Sequence, residues 1–289
     1  MVPLPMPRGT GSIELKGAGV MIDSLTSANG PLGLGSSLQG LGSSGISRGR
    51  KTLEVDGIAQ AVQWNANDTF YAGSTALVLV NEEDADEAIW DGTLYRPAVD
   101  NGVMYRFFGR KDEGGPRCIQ AREPGGIVQR YGCDPQSRVP GVNGVTAMWL
   151  TTQMTQATEA GLAPGVSFSY SMEDWGSNTY EPLLQQITYA GEDGQAVRVN
   201  LVYEPRPDPY RHTVAGMHIV NSQRVQRIEV AGRPANATSP SAARVPVSNF
   251  LFEYGVSTSS GASLLTSITQ CDGCSQVCLA PAVIQWTQS

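Results

Sequence analysis

The sequence predicts an all-β chain, with antiparallel sheets of short strands and hairpins joined by long Gly/Pro-rich loops. Composition is the first reason: 33 Gly and 18 Pro in 289 residues, with only 16% charged residues, give frequent turns and no long periodic run of helix formers. The second is alternation. Val166, Phe168, Tyr170 and Met172 fall on one face of an extended chain while Ser167, Ser169 and Ser171 fall on the other, which is the period of a half-buried strand. The third is the lack of any βαβ rhythm. The chain is long enough to bury a sizeable core, and residues 1–289 are read as a single region.

In chain order, residues 1–24 are expected to be a poorly ordered leader. Met1 to Arg8 contain three prolines and no apolar stretch, so no secretory signal is visible. The glycine-leucine block over 29–45 is expected to be irregular but ordered, because Leu32, Leu34, Leu38 and Leu41 need a dry environment while the glycines let the backbone approach closely. Arg48-Gly49-Arg50-Lys51 reads as a solvated basic turn. Residues 75–80 and 103–108 read as strands joined by the acidic run 82–87, which lacks the glycine and oxygen spacing of a calcium loop. A hairpin is expected from strands at 185–189 and 196–203. Arg206-Pro207-Asp208-Pro209 reads as a sheet edge or turn, because two prolines remove two ladder donors; Arg206 and Asp208 point the same way there and can satisfy each other or the backbone. Further strands are expected at 225–230, 250–254, 264–269 and 283–287. Residues 232–246 are expected to form a mobile loop.

Several function classes are disfavoured. The formal net charge of −7 and the absence of a long basic cluster argue against nucleic acid, and no segment approaches the roughly 20 apolar residues of a membrane span. His212 and His218 would stand about 20 Å apart if their segment were extended, too far to share an ion. The Gly-x-Gly-x-x-Gly match at Gly40–Gly45 does not open a helix. No nucleophile elbow, phosphate loop or metalloprotease motif occurs, so neither catalysis nor a cofactor is expected. Among the five cysteines, Cys271, Cys274 and Cys278 are weak zinc candidates because no second close pair accompanies them. A Cys271–Cys278 disulfide, or free thiols, is the favoured reading. Cys118 and Cys133 flank an expected hairpin, and their spacing alone does not decide whether they pair.

The closing block is the most informative part. A strand over 264–269, with Leu264, Thr266 and Ile268 on one face, runs into the cysteine-bracketed turn and leaves through a segment carrying Trp286. Together with Asn29-Gly30-Pro31-Leu32-Gly33-Leu34-Gly35, Ile46-Ser47-Arg48, residues 127–132, Tyr203-Glu204-Pro205-Arg206-Pro207-Asp208 and residues 224–228, it resembles, in order and spacing over residues 10–289, the amino-terminal region of the SpvB-like proteins. That family is shared by the B components of insecticidal toxin complexes and by Rhs or YD-repeat polymorphic toxins. By resemblance, Gly33, Gly35, Arg206, Pro207, Asp208, Leu264, Thr266, Ile268 and Trp286 are structural motif positions. The family often carries Trp where Ser36 stands and Cys where Gly49 stands, and Cys274 is an additional thiol.

The resemblance implies a non-enzymatic structural module of a secreted bacterial toxin, the start of an Rhs-type β-shell that encapsulates or delivers a toxic carboxy-terminal segment. Its implied partners are the remaining shell and propeller segments of the same toxin or of a partner toxin component, and a host cell-surface receptor. It would be cytoplasmic before export and extracellular afterwards. No Tyr-Asp repeats or toxin domain are visible in these 289 residues. The competing reading is an independent cell-surface or carbohydrate-binding β module that uses Trp175, Tyr180 and Tyr210.

Overall fold

The computed structural model describes residues 10–15, 18–23, 29–34, 36–39, 45–80, 90–158, 161–163, 165–190, 196–233 and 243–286. The chain is all-β and divides into two compact units. One comprises Met1–Gly42, Gln185–Arg211 and Val220–Ser289; the other comprises Ser43–Leu184 and His212–Ile219.

The second unit is built on eight strands: β1 (Gly45–Gly49), β2 (Thr69–Ala72), β3 (Thr75–Leu79), β4 (Leu94–Pro97), β5 (Met104–Phe108), β6 (Cys118–Arg122), β7 (Ile127–Tyr131) and β8 (Thr146–Thr158). Each pairs antiparallel with the next. β8 then returns to β1 through Met148↔Ser47, Trp149↔Ile46 and Leu150↔Gly45. The pairings therefore run in a closed circuit, a barrel whose strands leave an interior just wide enough for side chains.

Aromatic rings fill that interior. Phe70 meets Trp90, Phe107 and Trp149 edge-on at centroid distances of 5.6, 5.0 and 5.5 Å, and Tyr95 stacks on Phe107 at 4.3 Å. Such contacts add to the burial of large apolar surfaces. Ile46, Leu77, Ile119, Ala121 and Tyr131 complete the cluster. Alternation produces it directly: in β5, Tyr105 and Phe107 are buried while Met104 and Arg106 are exposed. Burial pushes the Tyr95 phenol up to about 12.

The solvated basic turn expected at Arg48–Lys51 is corrected at Arg48. Arg48 shares a face of β1 with Ile46 and is buried. Its guanidinium pairs with Asp68 at 3.2 Å and donates to the carbonyls of Thr146, Gly114 and Asn65. It also lies 5.3 Å from the Phe70 centroid and 5.8 Å from that of Trp149. Asp68 further accepts from the backbone N–H groups of Gln63 and Asn65 at 2.7 and 3.0 Å. Burial lowers the Arg48 pKa, and Asp68 pulls it back up. The basic pair Arg50-Lys51 just after it disguised an alternation that includes Arg48 on the inward face. At the β6–β7 hairpin, Cys118 and Cys133 are joined by a disulfide.

β9 (Val166–Gly176) and β10 (Thr179–Ala190) lead to the two longest described strands, β11 (Ala196–Val214) and β12 (Met217–Gly232), and then to β13 (Val245–Val256) and β14 (Ser263–Asp272). In the first unit, β10 pairs antiparallel with β11 through Gln186↔Asn200 to Ala190↔Ala196, β12 with β13, and β13 with β14. The strand pair Ala282–Val283 lies on the outer side of β14. Strands Thr10–Leu15, Ala18–Asp23 and Ser36–Gln39 form a separate three-stranded sheet, where the sequence had suggested a leader up to residue 24; residues 1–9 lie outside the described residues. The acidic run 82–87, Gly40–Ser44, Gly35 and most of the expected loop 232–246 also lie outside them.

Two differences from expectation have plain causes. β11 runs straight through Pro207 and Pro209 where a turn was one of the two readings, because a proline φ is compatible with extended chain and only a donor is lost. The face assigned to Leu264, Thr266 and Ile268 is broken by a register shift, since Glu253 pairs with Ser267 and Tyr254 with Leu265. Thr266 is the bulged residue, so Leu265 is buried together with Leu264 and Ile268.

Replacing Asp68 with Ala leaves the Arg48 guanidinium buried without its carboxylate, which costs about 3 to 5 kcal/mol. Urea unfolding followed by tryptophan fluorescence should show that loss, against a change within about 0.5 kcal/mol for the exposed control Glu54→Ala. A loss below about 1 kcal/mol for Asp68→Ala would contradict the assignment.

Candidate functional site

A polar cluster of the first unit forms where segments distant in sequence meet. A tight turn at Pro31-Leu32 pairs Asn29 with Leu34 and Gly30 with Gly33. Leu32 is completely buried. Gly33 has φ +87°, and a Cβ there would stand 2.4 Å from the Ser263 carbonyl oxygen, so glycine is required by both conformation and space. The Pro31 carbonyl accepts from the Val225 N–H at 2.8 Å.

Arg206 and Asp208, two apart on β11, share a face. The guanidinium of Arg206, wholly buried, grips the carboxylate with both prongs, Nε to Oδ1 at 3.1 Å and Nη2 to Oδ2 at 3.0 Å. Its remaining Nη1 donates to the Gly30 carbonyl at 3.2 Å and to Asn221 Oδ1 at 3.3 Å. Asp208 also accepts from the Ser263 N–H at 2.8 Å and from the Ser263 hydroxyl. The carboxylate thus ties the first residue of β14 to β11, while the arginine ties the early turn to β11. A bidentate pair of this kind gains geometric specificity as well as energy.

A second ion pair adjoins it. Arg224 donates to Glu204 at 2.7 Å and to the Ser263 hydroxyl at 3.1 Å, and its guanidinium lies 4.3 Å from the Tyr254 ring centroid. Burial pushes the Tyr254 phenol upward, with Arg224 acting in the opposite direction, and its hydroxyl donates to the Val225 carbonyl. The cluster therefore balances two arginines against two carboxylates. Neutralised internally, it supplies rigidity and register rather than a charged face for a ligand.

Of the motif positions, the structure brings Gly33, Arg206 and Asp208 together and sets Leu264 beside them in sequence next to Ser263. Pro207 is exposed on the opposite face of β11. Ile268 is buried, Thr266 donates to the Glu253 carbonyl at 3.0 Å, and the Trp286 indole donates to the Leu265 carbonyl at 2.7 Å. Ser263 is the residue that sequence reasoning passed over. Its signal was its place at the head of an apolar strand, where a small hydroxyl with two hydrogen-bonding functions is otherwise unexplained.

Cys271 and Cys278 are joined by a disulfide with an S–S distance of 1.99 Å, and Cys274 is exposed and free. Two of the three zinc candidates are thus bonded to each other rather than present as thiolates. His212 and His218 do not lie on one extended segment; a turn at Ala215–Gly216 intervenes, and His218 Nδ1 bonds the Thr213 hydroxyl at 2.8 Å. In the second unit, a cavity of about 860 Å³ is lined by Asp56, Asp68, Trp90 and Tyr95 among others. Both of its carboxylates are engaged: Asp56 accepts from Thr52 N–H and the Thr69 hydroxyl, and Asp68 from Arg48 and two amides. Neither is poised as a general base.

Comparison with solved structures was decisive for the fold. The chain superposes on the amino-terminal domain of the effector protein SpvB from Salmonella typhimurium strain LT2 with a TM-score of 0.68 at 15% identity, covering 93% of this chain and 98% of that one. The fold is that of the SpvB amino-terminal domain. The same fold occurs in the Photorhabdus luminescens Tc holotoxin pore (TM-score 0.67, 15% identity, 97% of this chain) and in TcdB2-TccC3-Cdc42 (TM-score 0.67, 16% identity, 94% of this chain). In each of these the chain spans only 16% of the larger polypeptide. No family model matches the chain, and no curated protein matches it by sequence.

Within this SpvB-type fold the Gly33–Ser263 contact makes a sharp prediction. Gly33→Ala forces a strained φ and displaces the Ser263 carbonyl, and should lower stability by about 2 kcal/mol or more. Gly57→Ala, at a positive φ where a Cβ meets nothing within 4 Å, should cost only about 1 kcal/mol. Chemical denaturation of both variants separates the packing contribution from the backbone one, and equal losses would contradict it.

Proposed function

We propose that the chain is a non-enzymatic structural module of a secreted bacterial toxin, contributing a section of the β-sheet wall that encloses or delivers a toxic segment. The observation that carries this reading is the fold match: nearly the whole chain superposes on a small part of Tc toxin chains and on almost all of the SpvB amino-terminal domain. The internally satisfied ion-pair cluster supports it, because such a cluster fixes strand register and leaves little for chemistry. Its partners would be the other wall and propeller segments of the same toxin or of a partner component, and the protein would act outside the producing cell. The mechanism is steric, with ladder hydrogen bonds closing a wall and buried faces holding it.

A second reading, a carbohydrate-binding module, retains one supporting observation. Trp175 is 59% exposed just before the Ser177–Asn178 turn, where an aromatic ring can stack on a sugar. Tyr210 no longer supports it, since its ring lies under Arg206 and its hydroxyl accepts from Asn221.

Hydrogen exchange on the chain, alone and joined to the wall segments that this reading gives it as partners, tests the wall reading. Amides at the outer side of β14 and in the Ala282–Val283 pair should gain at least about tenfold protection in the longer protein. Unchanged protection, together with a glycan-array signal lost in Trp175→Ala, would overturn the wall in favour of the binding module.

A further inference from the structure

The end of β14 and the turn that follows it carry three sulfurs within eight residues, Cys271-Asp272-Gly273-Cys274-Ser275-Gln276-Val277-Cys278. It is held firmly. Ser275 N–H donates to the Asp272 carbonyl at 3.0 Å, Asp272 N–H to the Val277 carbonyl at 2.8 Å, and Gln276 N–H to Asp272 Oδ1 at 2.8 Å. Asn249, on β13, reaches across with its amide to the carbonyls of Asp272 and Gly273 and to the Ser275 hydroxyl. A Cβ on Gly273 would stand 2.3 Å from the Pro246 carbonyl oxygen. A free thiol is therefore fixed inside the loop that a disulfide closes, at the Cys-x-x-Cys spacing from one of its two sulfurs.

We propose that Cys274 is a thiol–disulfide exchange site that moves the bridge from Cys271–Cys278 to Cys271–Cys274. The Cys274 thiolate attacks Cys271 Sγ, the Cys271–Cys278 bond breaks, and Cys278 leaves as a thiolate that takes up the proton Cys274 lost. One S–S bond forms and one breaks, so no oxidant or reductant is consumed. Burial selects the direction. Cys271 is 3% exposed whereas Cys278 is exposed; attack on Cys278 would strand a thiolate in the buried position, while attack on Cys271 releases one into water.

The bridge position controls a strap. Beyond Cys278, the chain lies along the outer side of β14: Leu279 N–H donates to the Gln270 carbonyl and Ile284 N–H to that of Thr266, each at 2.8 Å, Val283 faces Ser267, and the Trp286 indole donates to the Leu265 carbonyl. With Cys278 bonded, this strap is tethered covalently at its start. With the bridge moved to Cys274, the strap is retained among the described residues by these hydrogen bonds and buried Ile284, and the β14 edge becomes available for another strand. Nothing in this depends on the wall reading above.

The test uses the full chain. Protein held at pH 8 without added thiol is quenched in acid, labelled with N-ethylmaleimide and mapped by mass spectrometry. Label at Cys278, appearing with time beside that at Cys274 and missing from Cys274→Ser, is the expected result; label confined to Cys274 overturns the proposal. Cys278→Ser, oxidised with glutathione disulfide, should close the Cys271–Cys274 bridge, and its Ile284 amide should exchange at least about tenfold faster than in Cys274→Ser. Cys271 and Cys274 left unbridged in Cys278→Ser, or equal exchange in the two variants, would also overturn it. The Cys118–Cys133 bridge serves as the internal control and should stay unlabelled throughout.

Discussion

The Asp208 carboxylate is the constraint around which the first unit is organised. It receives the two prongs of Arg206 and both donors of Ser263, and through Arg206 it also fixes the Gly30 carbonyl. A buried ion pair gains little net stability over an apolar pair of equal volume. What it supplies is discrimination. A one-residue slip of β11 would turn Arg206 and Asp208 to the opposite face, leaving a guanidinium without its acceptors and Ser263 without its own. The penalty for the wrong register is therefore several kcal/mol even where the gain for the right one is small.

The second unit solves a related problem inside its barrel. Closing eight short strands leaves an interior to be filled, and most of it is aromatic. Arg48 adds a charged group to that interior, with its plane near the faces of Phe70 and Trp149 and its donors on Asp68 and on loop carbonyls. The same guanidinium adds a second donor to the Gly114 and Asn65 carbonyls, which already accept from the Thr146 and Asp68 N–H groups, so one side chain serves both apolar packing and polar satisfaction.

Much of the fold was legible, and the reasons for the remainder are physical. Alternation over residues 166–172 identified the strand that starts at Val166, because a half-buried face repeats every second residue, and the apolar runs at 75–80 and 103–108 identified two more. Four-residue strands such as Leu94–Pro97 offer too few repeats to register. Arg48 was misread because neighbouring Arg50 and Lys51 made it look like part of a solvated cluster, although Ile46 two residues earlier set the inward phase. The bulge at Thr266 shifted the faces of β14 in a way that no period-2 pattern reveals. For the candidate site, the proximity of Arg206 to Asp208 followed from their spacing. Their meeting with Gly30, Gly33 and Ser263 did not, since contacts across more than fifty residues leave no local pattern; the motif blocks gave these segments importance without giving them an address.

Coupling between the turn and the carboxylate tests this account most directly, because both act on Ser263 from positions 175 residues apart in sequence. A double-mutant cycle of Gly33→Ala and Asp208→Ala, measured by urea denaturation, should give a coupling energy of at least about 1 kcal/mol, since displacing Ser263 by either change removes part of what the other would cost. Losses that add to within about 0.3 kcal/mol would mean that the turn and the ion pair stabilise the unit separately, and would contradict a single organising cluster.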